Sequence, residues 1–349
     1  MHTPVAASIL LLMPGMLAAQ TLVGTTPQNR TVLLEEYTAI NCGNCPAAHV
    51  VAGNIMSSHP ATVVTVAVHG GGLSVPSGGQ PDLRSTAGSA LWSQYVVTFQ
   101  PQGMVNRQGL QSASQWTAAV NTALATASPV NIGMATNFEQ GSRVLTVDVE
   151  LYYTADGAGS NDRIYVLLSE DHIFGYQQDY VNGAQPNYDH RHALRTYVTD
   201  LGGDEVTTTI AGSSVVRTYM FAVPEAWNIE QCAAVAFVGE PSLGSAPGVI
   251  YQAVSVLASG GTTVGIAAAE EQRLGVAFPV PASSMVTVPF SALSRAAVLR
   301  LHDGAGRVLR EERIAKGQQS LLLDVSQLAN GIYHYGIAGG AMKSLVVLH

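Results

Sequence analysis

Apolar and polar positions alternate differently in successive parts of the chain. Residues 31–37 (TVLLEEY) form a short apolar run with a β-branched start, the pattern of a strand buried on both faces. Residues 46–56 (PAAHVVAGNIM) have helical composition, and 61–68 (ATVVTVAV) predict a second buried strand, ended by His69 and the turn-forming Gly70, Gly71 and Gly72. A strand–helix–strand unit results. A helical piece over 86–95 precedes Pro101 and a short strand over 103–106 follows it. Trp116, Val120 and Leu124 then mark one face of a closing helix after Ser114, and Pro129 ends the pattern.

From Val130 the spacing shifts to a period of two. Residues 143–152, 163–168, 215–223, 233–238 and 249–256 each alternate as half-buried strands do, which predicts a β-sandwich over 129–258. The stretch 259–265 (SGGTTVG) and the acidic pair Glu270 and Glu271 read as a linker over 259–272, leaving a third unit over 273–349. The expected fold class is multidomain: an α/β unit over 30–128 followed by two all-β sandwich domains. Upstream, residues 6–19 (AASILLLMPGMLAA) are apolar but too short to span a bilayer comfortably, and are broken by Pro14 and Gly15. Residues 1–20 are expected to be a signal peptide, although Met1-His2-Thr3 lacks the usual basic residue.

Composition narrows the picture. Charged residues are only 11 % of the 349, a balance typical of strand-rich exported proteins. Formal net charge is −8 and the only lysines are Lys316 and Lys343, so no basic stripe exists to neutralise a phosphate backbone, and nucleic acid is excluded as a partner.

The candidate chemistry is the Cys42-Gly43-Asn44-Cys45 sequence. Two cysteines three apart at a strand-to-helix junction place the first sulfur near unpaired amides and a helix dipole that favour a thiolate. Cys42 can then attack a disulfide, and Cys45, one turn on, can resolve the mixed disulfide; protein or peptide thiols and disulfides are the partners this chemistry takes. Gly43 and Asn44 add no positive charge, so acidification of Cys42 should be moderate. The alternative is a permanent structural bond, which an exported chain would also keep. A zinc site would need further ligands, and the only other cysteine, Cys232, heads the apolar run 233–238 as a buried inert thiol; no metal and no cofactor are expected.

Residues 32–46 (VLLEEYTAINCGNCP) resemble a thioredoxin active-site segment. The resemblance implies that Glu36, six residues before Cys42, stands at the family's buried acid, a Glu in place of its Asp. It implies that Pro101 is the cis-proline beside the disulfide, which leaves a backbone edge free for a substrate peptide. Gln100 and His69 are the accompanying candidates for substrate contact, His69 because its strand should end at the same carboxyl-end edge. A strand-end imidazole hydrogen-bonded to the glycine loop is the competing reading.

Glu35-Glu-Tyr-Thr, 42–49 (CGNCPAAH), 104–107 (MVNR) and 170–177 (EDHIFGYQ) together resemble the outer membrane protein 28-related family over residues 30–257. That implies a thioredoxin-like domain joined to a β-sandwich in an exported protein of Gram-negative bacteria. Separately, 278–283 (FPVPAS), 304–309 (GAGRVL), 328–333 (LANGIY) and 343–349 (KSLVVLH) resemble the C-terminal sorting domain of the type IX secretion system, with Val280 where an Asn is usual. This implies passage through the periplasm to the cell surface or beyond, with the type IX machinery as a partner and attachment at the outer membrane or cell surface. A non-catalytic adhesin or structural protein, its cysteines a mere staple, fits the same resemblance.

Two other constellations are weaker. His190 and His192 would face the same way on a strand and could grip a metal, but no third ligand is evident and the stretch after Asn187 reads as a loop. Ser169, Asp171 and His172 suggest a triad, but neighbours on a strand point to opposite faces and cannot form that relay among themselves.

Overall fold

The computed structural model describes residues 22–159, 161–263, 275, 277–290, 297–303, 307–337 and 342–349. The expected signal peptide, residues 264–272 of the expected 259–272 linker with Glu270 and Glu271, and residues 304–306 of the 304–309 motif lie outside them, while residues 260–262 of that linker form a strand.

Strand β1 (Val32–Thr38) is buried along its whole length because it lies between two other strands, which is why its pattern is a continuous apolar run. Helix α1 (Cys45–Ser58) follows, with Pro46 in its first turn, where a missing N–H costs nothing. Strand β2 (Val63–His69) runs parallel to β1, pairing Val32 with Val63 and Thr38 with His69. Helix α2 (Thr86–Gln94) is capped by Ser85, whose hydroxyl accepts from the Gly88 N–H at 2.9 Å. Strand β3 (Gln102–Val105) lies antiparallel on the other side of β1, placing Gly103 opposite Glu36. Helix α3 (Ala113–Leu124) starts in a capping box of Ser112 and Gln115. Its Trp116 is fully buried against Gly103, where a Cβ would stand 2.7 Å from the indole. On this face Val32, Leu34, Ala52, Ile55, Trp116 and Val120 make one core; α2 covers the opposite face through Leu91 against Leu33, Tyr37 and Val66.

The chain continues through β4 (Val130–Glu139), β5 (Val144–Tyr153), β6 (Asp162–Glu170), β7 (Ile173–Gln177), β8 (Gln185–His190), β9 (Ala193–Tyr197), β10 (Asp204–Val206), β11 (Ser214–Ala222), β12 (Cys232–Gly239), β13 (Ile250–Leu257) and β14 (Gly260–Thr262). The sheet does not stop at residue 128. Strand β9 joins β2 in parallel at Ala67 and Ala193, and the order β13-β12-β6-β9-β2-β1-β3 makes one sheet, with β10 on β6. Strands β11, β5, β4 and β14 form a second sheet. Its inner face, Leu145, Val147, Val149 and Leu151, packs on Val166, Leu168, Ala234 and Ala236. Two layered sheets are thus present after residue 129, but one of them is an extension of the N-terminal sheet. Accordingly the chain divides into two compact units, residues 1–265 and 266–349, where the hydrophobic pattern suggested three domains.

A buried ion pair closes the joint within the first unit. Arg107, just past β3 and 1 % exposed, donates to both oxygens of Glu35 at 2.9 and 2.8 Å and to the Tyr197 hydroxyl at 2.9 Å. Its guanidinium lies 4.9 Å from the ring centres of Tyr165 and Phe237. One side chain therefore ties β1 to β6, β9 and β12.

The second unit contains β15 (Met285–Pro289), β16 (Ala297–His302), β17 (Val308–Ile314), β18 (Ser320–Asp324), β19 (Gly331–Ile337) and β20 (Met342–Val347). Strand β15 pairs with β18, and β17-β16-β19-β20 form another sheet around Val286, Val288, Leu299, Leu301, Tyr335 and Leu345. Among the described residues no helix is long and apolar enough to cross a membrane.

Candidate functional site

The chain leaves β1, turns through Ala39 to Asn44 and enters α1 at Cys45. Cys42 and Cys45 are joined as a disulfide, with Cα atoms 5.4 Å apart. Cys42 sits in the turn before the helix, its N–H donating to Ala39 O and its carbonyl accepting from the Cys45 N–H, each at 3.2 Å. Neither sulfur stands open to solvent: Cys42 is 3 % exposed and Cys45 is fully buried.

The cover comes from far along the sequence. Strands β7 and β8 form a hairpin outside both large sheets, and the segment after β7 lies across the cysteine turn. The Gln178 N–H donates to Ile40 O at 2.7 Å and the Tyr180 N–H to Gly43 O at 2.9 Å. The buried Gln177 side-chain amide donates to Ala39 O at 3.2 Å and Cys42 O at 3.1 Å. Tyr180 lies so close over Gly43 that a Cβ there would overlap its ring and force it aside.

On the α1 side of the sheet, the apolar core gives way to polar groups toward the carboxyl ends of β1 and β2. Glu36, Thr65 and His69 line a cavity of about 280 Å³ that His49 of α1 and Tyr188 and His190 of β8 complete. Glu36 is buried, its Oε1 accepts no hydrogen bond, and burial pushes its carboxyl up to about 8. His49 Nε2 lies 3.5 Å from that oxygen; its ring nitrogens are 2.8 Å from Thr38 Oγ1 and 2.8 Å from the Tyr188 hydroxyl. Burial first, then His190, pushes His49 down to about 3. The contact at pH 7 is therefore a neutral acid beside a neutral imidazole, not an ion pair. Cys45 and His49 are one turn apart on the same buried face of α1, which sets the second cysteine's helix face toward this cluster.

His69 is 2 % exposed and lines this cavity, with its Nδ1 unpartnered and its ring edge-on to His190 at 5.7 Å. Burial, with His190 next, holds it well below the usual imidazole range. His69, expected beside a substrate at the carboxyl-end edge of the sheet, thus ends β2 as a buried imidazole on the wall of this cavity. Gln100–Pro101 is a cis peptide, and since Gln102 pairs with Tyr37, Pro101 is carried to the end of β1 from which the cysteine turn departs. Gln100 and Pro101 are half-buried.

The stretch 188–192 is also not the expected loop. Strand β8 extends through His190, whose Nε2 meets Tyr176 O at 3.1 Å, whereas His192 has left the strand with φ of 55° and turns to Asp171 at 3.0 Å. The two imidazoles therefore diverge, and no three His, Cys, Asp or Glu among the described residues are placed to hold a metal ion. Cys232 is buried and its thiol is pushed up to about 12, chiefly by burial. Sequence reasoning missed His49 and the 177–180 segment, and weighed the stretch from Tyr188 to His192 as a metal or contact site without connecting it to Glu36. The position of His49, four residues after Cys45 on one helix face, carried a usable signal; the hairpin carried none, lying more than 130 residues from the turn it covers.

Residues 88–256 match the family of the outer membrane protein Omp28, a region that begins after the cysteine pair and includes the covering hairpin. Residues 276–347 match the secretion system C-terminal sorting domain, which directs export to the cell surface by the type IX route. The fold is similar to that of HBP35 of Porphyromonas gingivalis, with a TM-score of 0.55 over 92 % of this chain and 99 % of that one at 19 % identity. A domain of the outer membrane lipoprotein Omp28 from Porphyromonas gingivalis aligns over 37 % of this chain and 87 % of its own at 19 % identity, with a TM-score of 0.25. No curated protein matches the sequence. The chain thus joins a region similar to the Omp28 family to one that matches the secretion system C-terminal sorting domain.

Proposed function

We propose that this chain is a cell-surface, thioredoxin-like protein that exchanges disulfides with client polypeptides. A client thiolate attacks Cys42 Sγ and breaks its bond to Cys45; Cys45 leaves as a thiolate and takes the proton that Glu36 holds. A second client thiolate then attacks the client sulfur of the mixed disulfide and expels Cys42 as a thiolate. The client has lost two electrons and the pair has gained them, and a partner disulfide of another protein resets it. Glu36 carries this reading: a buried carboxyl with an unpartnered oxygen, on the side of the sheet that α1 covers, still protonated at pH 7. The cis Gln100–Pro101 bond at the end of β1 supports it.

A second reading, in which the bond is a structural staple and other surfaces bind partners, is favoured by the 3 % exposure of Cys42. The reduction potential separates the two. Exchange requires a value above about −300 mV and turnover of protein disulfides that Glu36→Gln slows; a value well below about −300 mV leaves only the staple.

A further inference from the structure

The cover over Cys42 has the form of a bound peptide. An extended ligand added to a backbone edge donates alternate N–H groups to it and sets alternate side chains into pockets. Segment 177–180 approaches this at the cysteine turn: the N–H groups of Gln178 and Tyr180, two residues apart, bond Ile40 O and Gly43 O, while the Gln177 side chain is fully enclosed. We infer that residues 177–180 occupy the groove that a client's extended segment would take, so that a client reaches Cys42 only by displacing them. The inference rests on the exchange reading and adds to it an occupant of the site that must be expelled.

Three observations mark the segment as displaceable. Gln177 Oε1 is buried without a hydrogen-bond partner, so the clamp holds less tightly than its enclosure suggests. Beyond the clamp, Tyr180 is 71 % and Val181 85 % exposed. The two feet of the hairpin, His172 and His192, both have left-handed backbone, with φ of 56° and 55°, while the hairpin between them is a self-contained pair of strands. A rigid element held at two kinked feet turns as a unit. Because Tyr188 and His190 of β8 wall the Glu36 cavity, the same movement opens that cavity.

The test is the rate at which a phosphine and dithiothreitol reduce the Cys42–Cys45 bond in the full-length protein, compared with Gln177→Ala and Tyr180→Gly. Gln177→Ala, which deletes the side-chain amide's bonds to Ala39 O and Cys42 O, should be reduced roughly tenfold faster, and Tyr180→Gly, which keeps the backbone bond but removes the ring over Gly43, should also be reduced faster. In the wild type, the Gln178 and Tyr180 amides should exchange hydrogen far faster than those of Val32–Thr38. If Gln177→Ala does not fold, Tyr180→Gly, whose side chain is largely exposed, and the exchange measurement still decide. Equal reduction rates, or Gln178 and Tyr180 amides as protected as those of the strand, overturn the inference whether or not the protein turns over. Faster reduction of the variants with no turnover of any protein disulfide keeps the movable cover and removes the exchange reading instead.

Discussion

Glu35 and Glu36 are neighbours on one strand, both buried, and their side chains end in opposite worlds. Successive residues of a strand point to opposite faces. Glu35 faces Arg107, which grips both its oxygens, with Tyr197, Tyr165 and Phe237 around the guanidinium. Glu36 faces a polar cavity, has one oxygen without a partner, and meets only the neutral His49. A buried carboxylate given a fixed cation is a fastener; the same group given none keeps its proton and can part with it. The chain therefore puts its structural and its chemical acid side by side and tells them apart by what stands opposite.

The largest expected effect breaks the fastener. Glu35→Ala leaves Arg107 buried and unpaired and should cost about 3–5 kcal/mol in denaturant unfolding. A loss under about 1 kcal/mol would erase the distinction between the two acids. Replacing Glu35 and Arg107 together by apolar residues of similar volume should recover most of it.

Glu36→Gln should act in the other direction. The folded carboxyl holds its proton to about pH 8 whereas an unfolded one releases it near 4.5, so the Glu36 contribution to stability is full below 4.5 and declines as pH rises to 8. The amide removes that decline, a gain on the order of 3–5 kcal/mol at pH 9 relative to pH 4. Unfolding curves of equal pH slope for wild type and variant would contradict it.

Removing the disulfide should cost less. Cys42→Ser/Cys45→Ser opens a very short loop, worth about 2 kcal/mol from chain entropy. A loss well above that in thermal unfolding would make the bond a principal support of the fold and weaken the exchange reading.

The smallest effect concerns His49. Its folded imidazole stays neutral to about pH 3 while an unfolded one protonates near 6.5, so the His49 contribution to stability is full above 6.5 and is lost as pH falls toward 3. The Glu36 and His49 slopes oppose each other between 4.5 and 6.5, which predicts a flat region there. His49→Gln should flatten the acid limb at a cost of about 1 kcal/mol near neutral pH, for the lost contacts to Thr38 and Tyr188. An unchanged acid limb would remove His49 from the cluster's titration.

Strands β1 and β2 and helix α1 were legible because strands buried on both faces leave apolar runs that a helical segment interrupts. The continuation of the sheet through β9, β6 and β12 was not. Period-two alternation says that a strand is half-buried but not which sheet it enters, and the parallel join at Ala67 and Ala193 leaves no local trace. Of the site, the Cys42 and Cys45 pair followed from spacing and Glu36 from the resemblance to a thioredoxin active-site segment, and the turn to a cavity at His69 from neither. Residues 185–190 (QPNYDH) have low strand propensity and read as loop, because their pairing with β7 rather than their composition makes them a strand.

The shared sheet also sets an order of events during export. Synthesis delivers residues 32–69 long before residues 193–257, and until the later strands arrive, β2 presents a bare row of N–H and C=O groups. The cysteine-bearing part therefore emerges with an unpaired edge along β2 until β9 arrives. A fragment ending near residue 128 would be an adhesive intermediate, one that must meet either its own later strands or a holding chaperone.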